Sequence, residues 1–207
     1  QDLDLQAINT ALNRVQAVIE FELDGTILHA NDNFLRVLGY ALADVQGKHH
    51  AMFCDPVFVK TAEYRDFWAK LARGEFDQGE YKRLAKDGRE VWINASYNPI
   101  LDADGKPYKV IKFATDITAS KRRNADYEGK IDAISKAQAV IEFKLDGTVI
   151  RANDNFLKAV GYSLEEIEGK HHRIFCAADY AQSEQYAQFW KKLGRGEFDA
   201  GEYKRVA

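Results

Sequence analysis

The tetrapeptide GKHH occurs at residues 47–50 and again at 169–172. Adjacent imidazoles can ligate a metal, hold haem iron or hydrogen-bond a flavin. Each pair is followed by a cysteine, Cys54 or Cys176, and then by a tryptophan, Trp68 or Trp190. A thiolate would extend a zinc-type donor set, and an indole can stack on a flat cofactor. His49, His50, Trp68, His171, His172 and Trp190 are therefore the candidate cofactor-binding residues. A metal finds less support, because adjacent histidines splay apart and no fourth ligand stands near His49, His50 and Cys54. The bland alternative is structural: loop histidines cap short helices, and a duplication copies them without a ligand. Trp68 shares helical spacing with Phe67 and Leu71, which suits a core residue equally well. No Ser/His/Asp grouping, phosphate-cradling glycine loop or HExxH-type motif is present, so no catalytic residue is assigned.

The setting of these residues is itself repeated. "AVIEFELDGTILHANDNFLRVLGY" (17–40) returns as "AVIEFKLDGTVIRANDNFLKAVGY" (139–162). Asn31 matches Asn153, an offset of 122 that holds without a gap through Cys54/Cys176, Trp68/Trp190 and Tyr81/Tyr203. So long a period marks a duplicated domain rather than a solenoid. The second copy stops at Ala207, the counterpart of Ala85, and nothing matches 86–118. Those unmatched residues include "VWINASY" and "KVIKFATDIT", which read as strands. The expected organisation is an N-terminal helix (1–16), a first domain (17–118), a linking helix (119–138) and a second domain (139–207) lacking its last two strands. A domain so truncated has open sheet edges, so the natural chain is expected to continue past 207.

Within one repeat, 17–23 alternate apolar and polar, and Asp24-Gly25 turns the chain into a second strand at 26–30. Asn31 or Asp32 can cap a helix carrying Phe34, Val37 and Leu38, which Gly39 ends. Short helical pieces fill 41–58, and a longer helix spans 60–72 with Tyr64, Phe67, Trp68 and Leu71 on one face. Three strands follow at 75–84, 89–99 and 107–117. The order predicts an α+β fold, helices over one face of a five-stranded antiparallel sheet, duplicated in tandem.

Composition agrees with folded domains. The 207 residues are 46% hydrophobic and 29% charged, with formal net charge −3, which gives no sign of nucleic-acid binding. Lys121-Arg122-Arg123 reads as a solvated helix face. No apolar run approaches the ~20 residues of a membrane span. Cys54 and Cys176 occupy matching positions, which argues against a bridge within a domain and for a reducing, cytoplasmic setting.

The motif residues resemble a PAS domain: Asn31, Phe34, Gly39-Tyr40, Asp44 and Gly47-Lys48, repeated as Asn153, Phe156, Gly161-Tyr162, Glu165 and Gly169-Lys170. Asp116-Ile117-Thr118 matches the exit signature of that family. The stretch from Phe67 to Asp102 is similar to PAS domains of bacterial methyl-accepting chemotaxis proteins, aerotaxis receptors among them. The resemblance implies a sensory input module of a chemoreceptor-like protein that reads energy or redox state. Its alternative is a ligand-free dimerisation module of a histidine kinase or cyclic-dinucleotide enzyme. It implies a pocket between the sheet face (Ile19, Phe21, Ile93, Ala95, Tyr97) and helices carrying Phe34 and Trp68.

The resemblance leaves the cofactor open among FAD, haem and none. His50 and Trp68 lie where aerotaxis receptors have a His and a Trp, but Cys54-Asp55 replace an Arg-His pair. The photoactive flavin class needs an Asn-Cys-Arg motif, absent here, and its polar ring contacts map to the apolar Ile93 and Ala114. The haem-type histidine of the long helix is also missing from 60–72. Homodimers are expected through the domains or their helices. Tyr127, Ile131, Ile134 and Gln138, and Leu5, Ile8, Leu12 and Val15, have seam spacing. A downstream signalling domain is the expected partner, with neither nucleic acid nor membrane contacted by this segment.

Overall fold

The computed structural model describes residues 2–207, without the side chains of Asp2 and Leu5, so Leu5 of the expected seam lies outside the described side chains. Two compact units divide inside one helix, at 124/125. The boundary thus falls within the linking helix rather than at its ends.

In the first unit, α1 (Asp2–Val15) leads into β1 (Ala17–Phe21) and β2 (Ile27–Ala30). α2 (Asp32–Leu38) follows, then α3 (Leu42–Val45), a 3-10 turn (His50–Phe53), α4 (Pro56–Val59) and α5 (Ala62–Ala72). β3 (Asp77–Leu84), β4 (Glu90–Leu101) and β5 (Pro107–Asp116) complete it. The antiparallel sheet has the order β2-β1-β5-β4-β3. Chain ends meet at its centre, because β1 pairs β5 with Ile19 opposite Lys112 and Phe21 opposite Val110.

Local sequence explains the helix ends. Asn31 Oδ1 accepts from Phe34 N–H at 3.0 Å and from Val18 N–H at 2.9 Å, so one side chain caps α2 and pins β1. Gly39 then takes φ 75°, the left-handed conformation that ends α2. Of the face read as apolar, Phe34 and Leu38 are buried with Leu35, and Val37 is only half-buried. The core joins Ile19, Phe21, Val91, Ile93, Ala95 and Tyr97 of the sheet to Phe34, Phe53, Tyr64, Trp68 and Leu71 of the helical layer.

α6 (Thr118–Ala137) leaves the sheet directly. Thr118 lies in the helix, and its hydroxyl oxygen accepts from the backbone N–H of Trp92 at 2.9 Å. Ile117 N–H donates to the Trp92 carbonyl at 2.8 Å, and the Lys121 ammonium lies 4.9 Å from the Trp92 ring centroid. The root of α6 is therefore fastened to β4 as well as continuous with β5. Tyr127 and Ile131, more than 60% exposed, form an apolar stripe with the exposed Ile134.

The second unit repeats the element order with β6 (Ile141–Phe143), β7 (Val149–Ala152), α7 (Asp154–Val160), α8 (Leu164–Ile167), a 3-10 turn (His172–Phe175), α9 (Ala178–Ala181) and α10 (Glu184–Gly194). The counterpart of β3, residues 199–206, forms no strand. An isolated strand gains no ladder bonds, and β3 holds its shape by pairing along its whole length with β4.

Candidate functional site

The two histidines of GKHH point to different places. His49 Nε2 lies 2.7 Å from the Asp24 carbonyl, and its Nδ1 accepts from Ala51 N–H at 3.0 Å. A carbonyl only accepts, so Nε2 carries the proton. His49 thereby caps the 3-10 turn and ties it to the β1–β2 hairpin. The backbone adds to this seam: His50 N–H donates to the Gly25 carbonyl at 2.9 Å, and Ile27 N–H to the Lys48 carbonyl at 2.7 Å. The approach is so close that a Cβ at Gly25 would stand 2.7 Å from His49 Nε2 and 2.9 Å from the Trp68 ring. His171 repeats the arrangement, 2.7 Å from the Asp146 carbonyl and accepting from Arg173 N–H at 3.1 Å.

His50 is instead fully buried. Its Nδ1 lies 2.9 Å from Tyr64 Oη and its Nε2 3.0 Å from Tyr97 Oη. Cys54 Sγ stands 3.6 Å from the same Nδ1. Tyr97 Oη also accepts from Arg83 Nη2 at 2.9 Å. Hydrogen-bond counting assigns the protons. Arginine only donates, so the Tyr97 hydroxyl is left one proton, best given to His50 Nε2; Nδ1–H then donates to Tyr64. This requires a neutral imidazole. Burial lowers the His50 pKa well below its ordinary value, and the charges of Arg83 and Lys112 push it further down. Burial raises Tyr97 to about 12 and also raises the Cys54 thiol, so both stay protonated near neutral pH.

Trp68 meets His50 edge-on at 5.3 Å between ring centroids and Phe21 at 5.5 Å. It walls the imidazole, and its Nε1 has no hydrogen-bond partner. The fold therefore brings together His50, Cys54 and Trp68, and His49 stands on the hairpin side of Trp68 with ring centroids 6.1 Å apart. Among the described residues no group of three or more His, Cys, Asp or Glu side chains is placed to hold a metal ion.

Two further residues of this centre escaped the sequence reading. Arg83 on β3 is 4% exposed and Lys112 on β5 is fully buried. Lys112 Nζ lies 4.7 Å from the Tyr97 ring centroid and 5.5 Å from that of Phe34, with no hydrogen-bond partner; Arg83 Nε also has none. Neither forms an ion pair with a described carboxylate. Favourable contact with an aromatic face is worth about 2 kcal/mol when desolvated. That falls short of the several kcal/mol that an uncompensated buried charge costs. Accordingly, burial lowers the Lys112 pKa well below its ordinary value, and Arg83 lowers it further. The signal was present in the strand period: Val110, Lys112 and Ala114 alternate onto one face.

The second unit carries half of this centre. His172 Nδ1 lies 3.0 Å from Tyr186 Oη and 3.6 Å from Cys176 Sγ, with Trp190 edge-on at 5.5 Å. Burial, then the Arg205 charge, lowers the His172 pKa to about 4. Positions equivalent to Tyr97 and Lys112 fall outside the 207 residues.

Comparison with known proteins agrees with this architecture. Over 196 residues the chain is 44% identical to the Biofilm dispersion protein BdlA of Pseudomonas aeruginosa, covering 95% of the chain and 47% of that protein. It is 38% identical over 80 residues to the Aerotaxis receptor of Escherichia coli, covering 39% of the chain and 16% of the receptor. The chain thus spans less than half the length of either relative. A crystal structure of the PAS domain of a protein from Colwellia psychrerythraea superposes with a TM-score of 0.50 at 22% identity, covering 56% of the chain and 98% of that domain. The PAS fold profile matches residues 27–114 and 149–207, most of the chain, which therefore belongs to the PAS fold family.

Proposed function

We propose that this chain is the sensory input segment of a chemoreceptor-like signalling protein, built from two PAS copies in tandem. The observation that carries the reading is the buried network of His50, Tyr64, Tyr97 and Arg83 beside the unpartnered Lys112. A module serving only to organise a dimer has no use for unpartnered basic side chains in its core, whereas a sensor needs polar groups that meet a ligand. Similarity to the Biofilm dispersion protein and the Aerotaxis receptor supports a role in chemotaxis-type signalling.

The residues suit a flavin better than a haem. An axial ligand needs a free imidazole nitrogen, and both nitrogens of His50 are engaged. A flavin offers a row of acceptor atoms along one ring edge, and Lys112 Nζ and Arg83 Nε are buried donors without acceptors. The candidate site is thus His50, Trp68, Arg83 and Lys112. His49 and His171 hold the hairpin, and His172 and Trp190 are the corresponding half-site of the second copy.

Occupancy would reach α6 through β5 and β4, since Lys112 sits on β5 and the root of α6 is bonded to Trp92 of β4. Such a switch needs a ligand with different affinity for two arrangements of the sheet. The exposed stripe Tyr127, Ile131 and Ile134 suits pairing of two α6 helices in a homodimer with a downstream signalling domain. An Ile131→Pro change tests this. Broken dimerisation or a lost response is expected, and wild-type behaviour in both would refute the reading.

A further inference from the structure

The last carbonyls of a helix have no partner inside it. In both units asparagine side chains supply one. Asn153 Nδ2 donates to the Ser135 carbonyl at 2.8 Å and to the Gln138 carbonyl at 2.7 Å. Asn155 Nδ2 lies 3.3, 3.1 and 3.2 Å from the carbonyls of Ser135, Lys136 and Gln138. The first unit repeats the pattern at the end of α1. Asn31 Nδ2 donates to the Gln16 carbonyl at 2.8 Å, and Asn33 Nδ2 lies 3.1 Å from the carbonyls of Asn13, Arg14 and Gln16. Burial fastens neither helix. From Arg122 to Ala139 only Ser135 is half-buried and every other residue is exposed, as are the described side chains of α1. A helix with no buried face is marginal in water, so beyond chain continuity the asparagines are what hold its end.

Asn153 has a second role. Its Oδ1 accepts from Val140 N–H and from Phe156 N–H, each at 2.9 Å. One amide thus joins the helix end, the backbone that enters β6 and the cap of α7. Phe156, one turn into α7, packs on Phe175 with ring centroids 5.4 Å apart, in the core of the second unit. We infer that the Asn-Asp-Asn segment of each PAS copy is a receiving site for the C-terminal turn of the helix that enters it, and that Asn153 relays displacement of α6 to β6 and α7. Asn155 holds the helix; Asn153 both holds and relays. Recognition is of backbone carbonyls, so the two helix ends are held alike although Asn13 of one is Ser135 in the other. The clasp needs no ligand in either unit.

Amide hydrogen exchange of the 207-residue chain, started at millisecond mixing times, tests both parts. Asn155→Ala removes a donor to the helix end and touches no cap. Asn153→Asp keeps an acceptor oxygen for Val140 and Phe156 but can no longer donate to the carbonyls. Both variants are expected to fold and to speed exchange across 130–138 by about fivefold to thirtyfold, the range of one or two lost hydrogen bonds, with 91–117 unchanged. Asn33→Ala is expected to speed exchange across 8–16 and leave 130–138 as in wild type. Wild-type exchange across 130–138 in the folded Asn155→Ala and Asn153→Asp variants would overturn the receiving site.

The relay is read by a double-mutant cycle. Ile134→Pro breaks the last turn of α6 at an exposed residue, so it removes no core packing. In the wild-type background it is expected to speed exchange across 141–160 by about fivefold, because the Asn153 amide loses its grip on the helix. In the Asn153→Asp background, where that grip is already gone, it is expected to add less than about twofold. Equal acceleration in the two backgrounds would overturn the relay, since the helix end would then act on the second unit by a route other than Asn153.

Discussion

Replacing Tyr97 by Phe removes one oxygen atom and should do more damage than its size suggests. Tyr97 Oη accepts from Arg83 Nη2 at 2.9 Å and bonds His50 Nε2 at 3.0 Å, in a residue with no exposed surface. The phenyl ring keeps its packing, so the cost is polar. Leaving a buried group unsatisfied costs about 1–3 kcal/mol, toward the upper end for a charged one. Two groups are orphaned, one of them cationic, which gives about 3–4 kcal/mol. Tyr64→Phe is the matched control. It removes a single bond from His50 Nδ1, which still has Cys54 Sγ at 3.6 Å, and should cost about 1 kcal/mol. Urea denaturation of the chain in a Trp190→Phe background, followed by tryptophan fluorescence, reports the first unit through Trp68 and Trp92. Equal costs for the two variants, or a Tyr97→Phe cost below about 1 kcal/mol, would refute the assignment of Tyr97 as the node of the network.

The same network predicts a pH response. His50 has a folded pKa below its ordinary value of 6.5, so between the two values the unfolded chain binds the extra proton. Stability of the first unit should therefore fall as pH drops through about 6.5 toward the folded pKa, and His50→Leu should flatten that slope in urea midpoints measured at pH 7.5 and 5.5. At the hairpin, Gly25→Ala places a Cβ against His49 and Trp68 at a residue with φ 92°. Its cost is expected to exceed about 2 kcal/mol by thermal denaturation. Adding His49→Ala should recover part of that cost, and strictly additive losses would contradict the close approach.

Much of this architecture was readable from residue types and spacing. Asn31, Gly39 and the Asp24-Gly25 turn announce themselves through local chemistry, and each does what its type suggests. The duplication drew attention to GKHH but could not separate its two histidines. One anneals a turn and the other enters the core, and that difference depends on which backbone groups lie beside the 3-10 turn. Lys112 was missed for a related reason. Alternation places it inward with Val110 and Ala114, but a lysine in a strand is ordinarily assigned to solvent, and only the register opposite Ile19 and Tyr97 shows that no solvent is there. Residues 199–206 closely match β3 in sequence but form no strand, because β structure belongs to pairs of strands and no strand of the second unit pairs with them.

The most direct test of the central claim is native mass spectrometry of the protein purified under mild conditions, read together with its absorption spectrum. If the polar centre around His50, Arg83 and Lys112 is a sensory pocket, the wild-type chain carries a small molecule that Tyr97→Phe and Lys112→Met release or hold at lower occupancy. A wild-type mass equal to that of the bare polypeptide, with no absorbance beyond its aromatic residues and no binding of flavin when supplied, would contradict the account. His50 and its tyrosines would then be a structural device of the PAS core.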